Sequence, residues 1–112
     1  MLFRSEEIHH TEKKDAPSGT AITLAEQIIE NLGRKKAWIN HINVMPDEIA
    51  ILSERIDPAP GTHKIKYSSA IDDIEIVHTA HNRTGFATGA VLAAEFLKGK
   101  KGIYSMKDVL GI

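Results

Sequence analysis

The pattern of apolar positions predicts one helix more clearly than any other element. After the Pro-Ser-Gly-Thr turn at 17–20, apolar side chains recur every three or four residues, the spacing that lines one face of an α-helix. Those positions are Ala21, Leu24, Ala25, Ile28, Ile29 and Leu32. Pro17 suits the first turn, Ser18 or Asp15 can cap the exposed amides, and Gly33 fits the position just past the last turn. We therefore expect a helix that ends just before Gly33.

Shorter apolar runs predict four strands. Residues 3–8 and 48–55 each contain a short apolar stretch, and residues 63–67 and 74–80 alternate apolar with polar side chains. The segment "SSAIDD" at 68–73 separates the last two runs, so these are expected to pair as a hairpin.

A second helix is predicted near the end of the chain, after "HNRTG". Its apolar positions include Phe86, Ala90, Ala93, Ala94 and Leu97, and the pattern stops at Gly99. Residues 37–48 contain Pro46 and are expected to be a mixed connection. Two main helices packed on one face of a mostly antiparallel or mixed four-stranded sheet would make residues 1–112 one α+β domain.

Composition narrows the functional classes. The 112 residues include no cysteine, which fits a reducing cytoplasm and removes thiolate chemistry. A formal net charge of −1 gives no reason to expect binding to nucleic acid or to a membrane surface. No apolar run approaches the ~20 residues that a membrane span needs, and "MLFRSEEIHH" lacks the apolar core of a signal peptide. We expect a cytoplasmic protein with neither a nucleic-acid nor a membrane partner.

The start of the first helix is a candidate anion site. The first N–H groups of a helix have no internal partner and carry partial positive charge, so they attract carboxylates and phosphates. Gly19 leaves the backbone accessible and Thr20 adds a hydroxyl group. The alternative interpretation is an ordinary helix cap at Ser18, because Ser-Gly turns before helices are common.

Proton carriers and cations precede that helix. His9, His10 and Lys13 lie within a few positions of one another in "EIHHTEKKDAPSGT". A histidine exchanges a proton near neutral pH, and a lysine complements an anionic ligand. A substrate carboxylate held by Gly19 and Thr20 could thus meet Lys13, with a histidine left to handle a proton; the alternative is a solvated polar loop.

The remaining histidines and Arg83 carry further expectations. His78 and His81 would point to opposite faces of a strand, and no histidine pair has the spacing of a helical zinc motif, so we predict no metal site. His63 and His78 share a strand face with apolar neighbours and are expected to be half-buried. Arg83 could pair with a second carboxylate, although the residues alone favour a surface arginine near a helix start.

A family resemblance covers nearly the whole chain. The segment "HHTEKKDAPSGTA" at 9–21 resembles the signature of dihydrodipicolinate reductases, also called 4-hydroxy-tetrahydrodipicolinate reductases, at every fixed position. The segments "GTHKIKY" and "IEIVHTAHNRTGFATGAVLAAEFLKGKKGIYSMKDVL" are similar to the closing region of that family. The resemblance implies a substrate-binding and tetramerisation domain whose sheet is used for oligomerisation, in an oxidoreductase of lysine and diaminopimelate biosynthesis.

The resemblance also implies residue roles. His9 matches the catalytic proton donor and acceptor, Lys13 matches the proton donor, and His10 matches a contact to the small dicarboxylate substrate. Ser18, Gly19 and Thr20 match the carboxylate-binding segment, and Arg83 falls, more loosely, where a basic residue lies near the substrate.

Two departures from the family pattern carry expectations of their own. Asp57 in "RIDPAPGTH" stands where a glycine is usual, so that backbone could bend differently. The eight glycines contain no Gly-x-Gly-x-x-Gly turn, and the family binds NADPH or NADH mainly through an N-terminal dinucleotide-binding domain that these residues lack. We expect the 112 residues alone to be catalytically inactive; the competing interpretation is a non-enzymatic anion-binding or oligomerisation module.

Overall fold

The computed structural model describes residues 2–112, which divide into two compact units between His81 and Asn82. The elements of the first unit are β1 (Leu2–His9), α1 (Gly19–Asn31), β2 (Ala37–Ile39), β3 (Glu48–Arg55), β4 (Thr62–Ser68) and β5 (Asp73–Thr79). The second unit contains α2 (Thr84–Leu97) and α3 (Met106–Leu110). The α+β class predicted from the sequence is confirmed.

The five strands form one mixed sheet in the order β2-β3-β1-β4-β5. β3 pairs in parallel with both β1 and β2. The chain returns to the starting end of the sheet twice, through α1 between β1 and β2 and through residues 40–47 between β2 and β3. β4 pairs antiparallel with β1 and with β5, as the hairpin prediction required.

One face of the sheet changes from apolar to polar along the strands. The register pairs Phe3 with Tyr67 near the start of β1 and Glu7 with His63 near its end. Phe3 belongs to a buried cluster with residues of α1, β3 and β4, namely Ile28, Ile49 and Ile65. Because alternate residues of a strand share a face, Glu7 and His9 lie on the same side as that core. The polar end of this face lies where β1 leads into α1.

Helix α1 covers this face. Its buried residues Ala21, Ala25 and Ile28 recur at helical spacing, and the two alanines pack with Ile51 of β3. Ser18 has an extended backbone and caps the helix, since its Oγ accepts a hydrogen bond of 3.2 Å from the N–H of Ala21. The expected position of Pro17 in the first turn was wrong, because Pro17 precedes the cap and the helix begins at Gly19.

The predicted number of elements also needs correction. The described residues form five strands and three helices, not four strands and two helices. The extra strand β2 lies within the predicted connection 37–48, and three residues are too few to give a recognisable period. Within the first unit α1 packs on the sheet, whereas α2 and α3 belong to the second unit. His63 is half-buried as expected, but His78 is exposed because it lies on the edge strand β5.

The second unit holds together through aromatic and capping contacts. The rings of Phe96 and Tyr104 meet edge to face at 5.4 Å, and Ser105 and Asp108 form a reciprocal capping box at the start of α3. Among residues 2–112, none of the helices has the length and apolar character that crossing a bilayer would demand.

Candidate functional site

The polar end of the sheet gathers most of the residues singled out by the sequence. It comprises the last residues of β1, the loop that follows, the first turn of α1, and the adjoining ends of β3 and β4. The register places Arg55 of β3 beside His9 and His63 of β4 beside Glu7. The cluster is therefore assembled from segments far apart in the sequence.

A buried carboxylate lies at the centre of this cluster. Glu7 has no exposed surface, and Arg55 holds both of its oxygens, with Nη1 donating to Oε2 at 3.1 Å and Nη2 donating to Oε1 at 2.9 Å. The N–H of Ser18 also donates to Oε1, at 3.3 Å. Burial alone would raise the pKa of Glu7, but the hydrogen bonds from Arg55 and Ser53 and the guanidinium charge lower it below its usual value. Glu7 is therefore a carboxylate anion at neutral pH.

Arg55 also fixes the loop between β1 and α1. Its Nε donates to the carbonyl oxygen of Lys13 at 3.2 Å, and its Nη2 donates to that of Asp15 at 2.6 Å. One guanidinium group thus binds the carboxylate of β1 and two carbonyl groups of the loop. The backbone of the "KKDAPS" segment is held by these bonds rather than by regular secondary structure.

Two imidazole rings connect this carboxylate to the helix cap. Nε2 of His9 lies 3.3 Å from Oε2 of Glu7 and 3.3 Å from Nε2 of His63. The same nitrogen of His63 lies 3.1 Å from the hydroxyl oxygen of Ser18. Burial is the main cause that lowers the pKa of both histidines, so both rings favour the neutral form.

The ring of His9 packs against a glycine whose position disfavours any side chain. A Cβ atom added to Gly61 would lie 3.1 Å from Cε1 of His9, and the φ of Gly61 is +154°, which side chains rarely adopt. This glycine belongs to the segment "GTH" that also supplies His63.

The first turn of α1 presents accessible amides beside these rings. Gly19 and Thr20 are exposed, and within residues 2–112 the chain provides no acceptor for their N–H groups. A Cβ atom added to Gly19 would meet nothing within 4 Å. The hydrogen bond from the N–H of Ala21 to Ser18 confirms that Ser18 caps the helix. The N–H groups of Gly19 and Thr20 are left available to a ligand.

The remaining predicted residues are distributed between the two units. Nζ of Lys13 lies 3.0 Å from Oδ2 of Asp15. Burial lowers the pKa of His9 and the carboxylate of Glu7 raises it, and the positive charge of Lys13 lowers it further. His10 is half-buried and acts on His9 in the same direction. Arg83 immediately precedes α2 in the second unit and makes no capping bond there. The first unit thus holds every predicted site residue except Arg83.

Sequence reasoning missed Glu7 and Arg55 and assigned His63 only to a half-buried position. The available signal was the alternation along β1, which puts Glu7 and His9 on the same face as Phe3. The partner of Glu7 could not be identified in this way, because Arg55 is 48 positions further along the chain.

Asp57 fits its position without strain. Its carboxylate accepts a hydrogen bond of 2.8 Å from the N–H of Thr11 and another from the hydroxyl group of Thr11. No non-glycine residue among those described has a positive φ, so the backbone here does not require the usual glycine. Asp57 instead anchors the loop just after the two histidines.

The cluster also contains three atoms of the type that bind metals. Single atoms of Glu7, His9 and His63 lie within 4.8 Å of one another. The guanidinium of Arg55 already neutralises Glu7 and places positive charge beside it, which opposes a divalent cation. The absence of a metal stays a prediction.

Comparison with known proteins gives a consistent family assignment. The family model described as dihydrodipicolinate reductase, C-terminus, matches residues 3–110. A 4-hydroxy-tetrahydrodipicolinate reductase of Christiangramia forsetii is 57% identical over 105 residues, which cover 94% of this chain and 44% of the relative. A Methanosarcina mazei protein of the same name is 45% identical over 109 residues, covering 95% of this chain and 41% of the relative. The chain thus spans less than half the length of these curated relatives.

A solved structure shares the fold. The dipicolinate-bound dihydrodipicolinate reductase from Paenisporosarcina sp. TG-14 superimposes with a TM-score of 0.66 at 25% sequence identity. The match covers 96% of this chain and 44% of that protein.

The pKa shifts predict that acid destabilises the first unit. The folded-state pKa of His9 and His63 lies below the usual 6.5, so as the pH falls below 6.5 the unfolded chain takes up these protons first and stability decreases. The lowered pKa of Glu7 adds stability above its usual 4.5 that is lost as the pH falls through the folded value. Both effects have the same sign, so the free energy of urea unfolding should fall steadily from pH 7 to pH 4.

A histidine variant isolates the upper part of that range. His63→Gln should flatten the decrease between pH 7 and pH 5, and replacement of the exposed His41 is the matched control. Circular dichroism at fixed protein concentration measures the unfolding. Stability that rises on acidification from pH 7 to pH 5 would contradict the burial of neutral imidazoles.

Proposed function

This chain belongs to the dihydrodipicolinate reductase C-terminal family, and we propose from that premise that it is the substrate-binding part of a 4-hydroxy-tetrahydrodipicolinate reductase. Such an enzyme is an NAD(P)H-dependent oxidoreductase of the cytoplasmic lysine and diaminopimelate pathway. The observation that carries the proposal is the pair of unbonded amides at Gly19 and Thr20 next to the His9–His63 ring pair. Hydrogen-bond donors for a carboxylate and a proton carrier are thereby available in one place.

The first carboxylate of the substrate would bind at the start of α1. The N–H groups of Gly19 and Thr20 would donate to its oxygens, and the helix dipole would favour its negative charge. Lys13 and His10, from the preceding loop, would add charge and a further donor. The solved relative from Paenisporosarcina sp. TG-14 holds dipicolinate, a planar dicarboxylate, which supports a ligand of this chemistry.

Arg83 is proposed to bind a carboxylate of the substrate, as the family resemblance implies. A guanidinium group suits a carboxylate because its parallel N–H groups match the two oxygens. Arg83 belongs to the second unit, so its support is the family resemblance of "HNRTGF".

Proton handling would fall to His9 and Lys13. His9 is held by Glu7 and His63 on one side and Gly61 on another, so its ring has a fixed orientation. A fixed proton carrier beside a bound substrate contributes through orientation as well as acidity. Lys13 supplies an ammonium group whose charge acts on the same ring.

We infer that the dinucleotide is held mainly outside the described residues. The loop between β1 and α1 contains no glycine, and Gly19, the first residue of α1, is not part of a glycine-rich phosphate loop. The nicotinamide cofactor, NADPH or NADH, would therefore be held mainly by residues outside this chain. It supplies hydride chemistry when bound, and the residues here bind, orient and protonate.

Assembly into a homotetramer is part of the same proposal. The edge strand β5 exposes large apolar side chains on both faces, with Ile74, Ile76 and Val77 each more than half exposed. A monomer seldom leaves such an edge uncovered, because it invites further strand pairing and aggregation. A second copy of the chain is the occupant that the family resemblance supports.

Binding of pyridine-2,6-dicarboxylate tests the proposed function directly. Lys13→Ala and His10→Ala should each weaken binding by at least about tenfold, because a charge-assisted hydrogen bond contributes roughly 1.5–3 kcal/mol. Isothermal titration calorimetry measures the affinity, and Lys14→Ala is the matched control because Lys14 is a neighbouring, exposed lysine. Affinity unchanged in both site variants would reject the proposed site.

The cofactor proposal makes a separate prediction. The purified 112-residue chain, supplied with substrate and either nicotinamide cofactor, should show no oxidation of NADPH or NADH by absorbance at the reduced-nicotinamide band. Turnover by this chain alone would show that hydride transfer does not require residues beyond it.

The oligomer prediction concerns β5. Sedimentation velocity should detect a tetramer, and Ile76→Lys should lower its mass because a charge would enter the apolar surface. Ile71→Lys is the matched control, since Ile71 is 94% exposed in the hairpin turn outside the strand. A monomer at every concentration, or equal dissociation by both variants, would contradict the use of β5 as an interface.

A further inference from the structure

We propose that Glu7 is a positioning residue that holds the proton of His9 on Nε2 and keeps Nε2 of His63 as a hydrogen-bond acceptor. This inference deepens the proposed function and rests on it for the role of His9. It concerns a residue to which the family resemblance assigned no role.

The distances restrict where the protons can lie. Nε2 of His9 and Nε2 of His63 face each other at 3.3 Å, so in the neutral pair one nitrogen must donate and the other accept. The carboxylate of Glu7 is an acceptor only, and its Oε2 lies 3.3 Å from Nε2 of His9. A proton on His9 Nε2 thus meets two acceptors, whereas a proton on His63 Nε2 would leave the carboxylate facing a lone pair.

The helix cap favours the same arrangement. Ser18 Oγ accepts the N–H of Ala21 and lies 3.1 Å from Nε2 of His63, so its hydroxyl proton can point at that nitrogen. If Nε2 of His63 is unprotonated, it accepts from both sides. His63 then carries its proton on Nδ1, and His9 is left with Nδ1 as its basic nitrogen.

Glu7 is itself held rigidly enough to impose this state. Arg55 binds both carboxylate oxygens, and the N–H of Ser18 binds Oε1. The same Arg55 donates to the carbonyl oxygens of Lys13 and Asp15. The carboxylate therefore fixes the ring of His9, the loop that carries Lys13, and the start of α1 together.

The negative charge of Glu7 opposes the effect of the surrounding basic groups on the protonation of His9. The groups that act on the two rings come from β1, β3, β5 and the loop: Glu7, Lys13, Arg55 and His10 act on His9, and His9, Glu7, His78 and Lys13 act on His63. Glu7 is the one anion among them; it favours a protonated His9, whereas Lys13, Arg55 and His10 oppose it. Without Glu7, His9 would accept a proton only at lower pH.

Nitrogen-15 NMR of the ligand-free chain tests the assignment without relying on catalysis. Long-range proton–nitrogen spectra near neutral pH should show His9 protonated on Nε2 and His63 protonated on Nδ1. The opposite tautomers in the unmodified chain would overturn the proposal, whether or not any variant folds.

Variants then separate the charge of Glu7 from its packing. Glu7→Gln keeps the shape and removes the charge, so the titration midpoint of His9 should shift to lower pH. Glu7→Asp restores a carboxylate and should return the midpoint toward that of the unmodified chain. Glu6→Gln is the matched control, because Glu6 lies on the opposite face and pairs with Arg4. An unshifted midpoint in Glu7→Gln, or an equal shift in Glu6→Gln, would overturn the role of Glu7.

The two proposals can fail separately. Expected ring states in a chain that does not bind pyridine-2,6-dicarboxylate would support the placement of Glu7 and reject the proposed function. If Lys13→Ala and His10→Ala weaken the binding of pyridine-2,6-dicarboxylate, but Glu7→Gln leaves the titration midpoint of His9 unchanged, the positioning role alone is rejected.

Discussion

The ion pair between Glu7 and Arg55 is the interaction on which the polar end of this structure depends. A fully buried carboxylate is costly unless its charge and hydrogen-bonding capacity are satisfied, and here both oxygens meet the guanidinium group. Removal of one partner from such a pair leaves an uncompensated charge, which destabilises proteins by roughly 3–5 kcal/mol. Because Arg55 also binds two carbonyl groups of the β1–α1 loop, loss of the pair would release the loop along with the carboxylate.

The register of β1 lets one sheet face serve both stability and chemistry. Phe3 and Glu7 lie an even number of positions apart, so they point the same way, the first into the apolar core and the second into the polar cluster. A shift of the register by one residue would expose Phe3 and turn Glu7 away from Arg55. The apolar contacts at one end of the strand therefore fix the position of the ionisable groups at the other end.

The extent to which the sequence predicted this structure follows from the range of each interaction. The helix α1, its cap at Ser18 and the β4–β5 hairpin depend on residues close in sequence, and their patterns were recognisable. The three-residue strand β2 has no period to detect. The prediction placed Pro17 in the first turn of the helix, whereas Ser18 is the cap and the helix begins at Gly19. The contacts of Glu7 with Arg55 and of His9 with His63 span 48 and 54 positions, so they became visible only once the sheet order was known. The family signature predicts roles for His9, Lys13 and the Ser18–Thr20 segment, but a signature of residue types does not say which side chains contact each other.

The state of Lys13 indicates how an entering dicarboxylate would be accommodated. Its ammonium group is already 3.0 Å from the exposed carboxylate of Asp15, so a ligand carboxylate at Lys13 would either displace Asp15 or share the ammonium group with it. An exposed ion pair of this kind contributes little to stability, and its exchange is correspondingly inexpensive. The amides of Gly19 and Thr20 differ, because the described chain supplies them with no acceptor and a bound carboxylate would give them one. In the proposed complex, the amides at the helix start would gain bonds that the free chain does not supply, and Lys13 would gain its charge-assisted bond at little cost, because the exposed pair with Asp15 is weak. Glu7 would keep His9 oriented beside them.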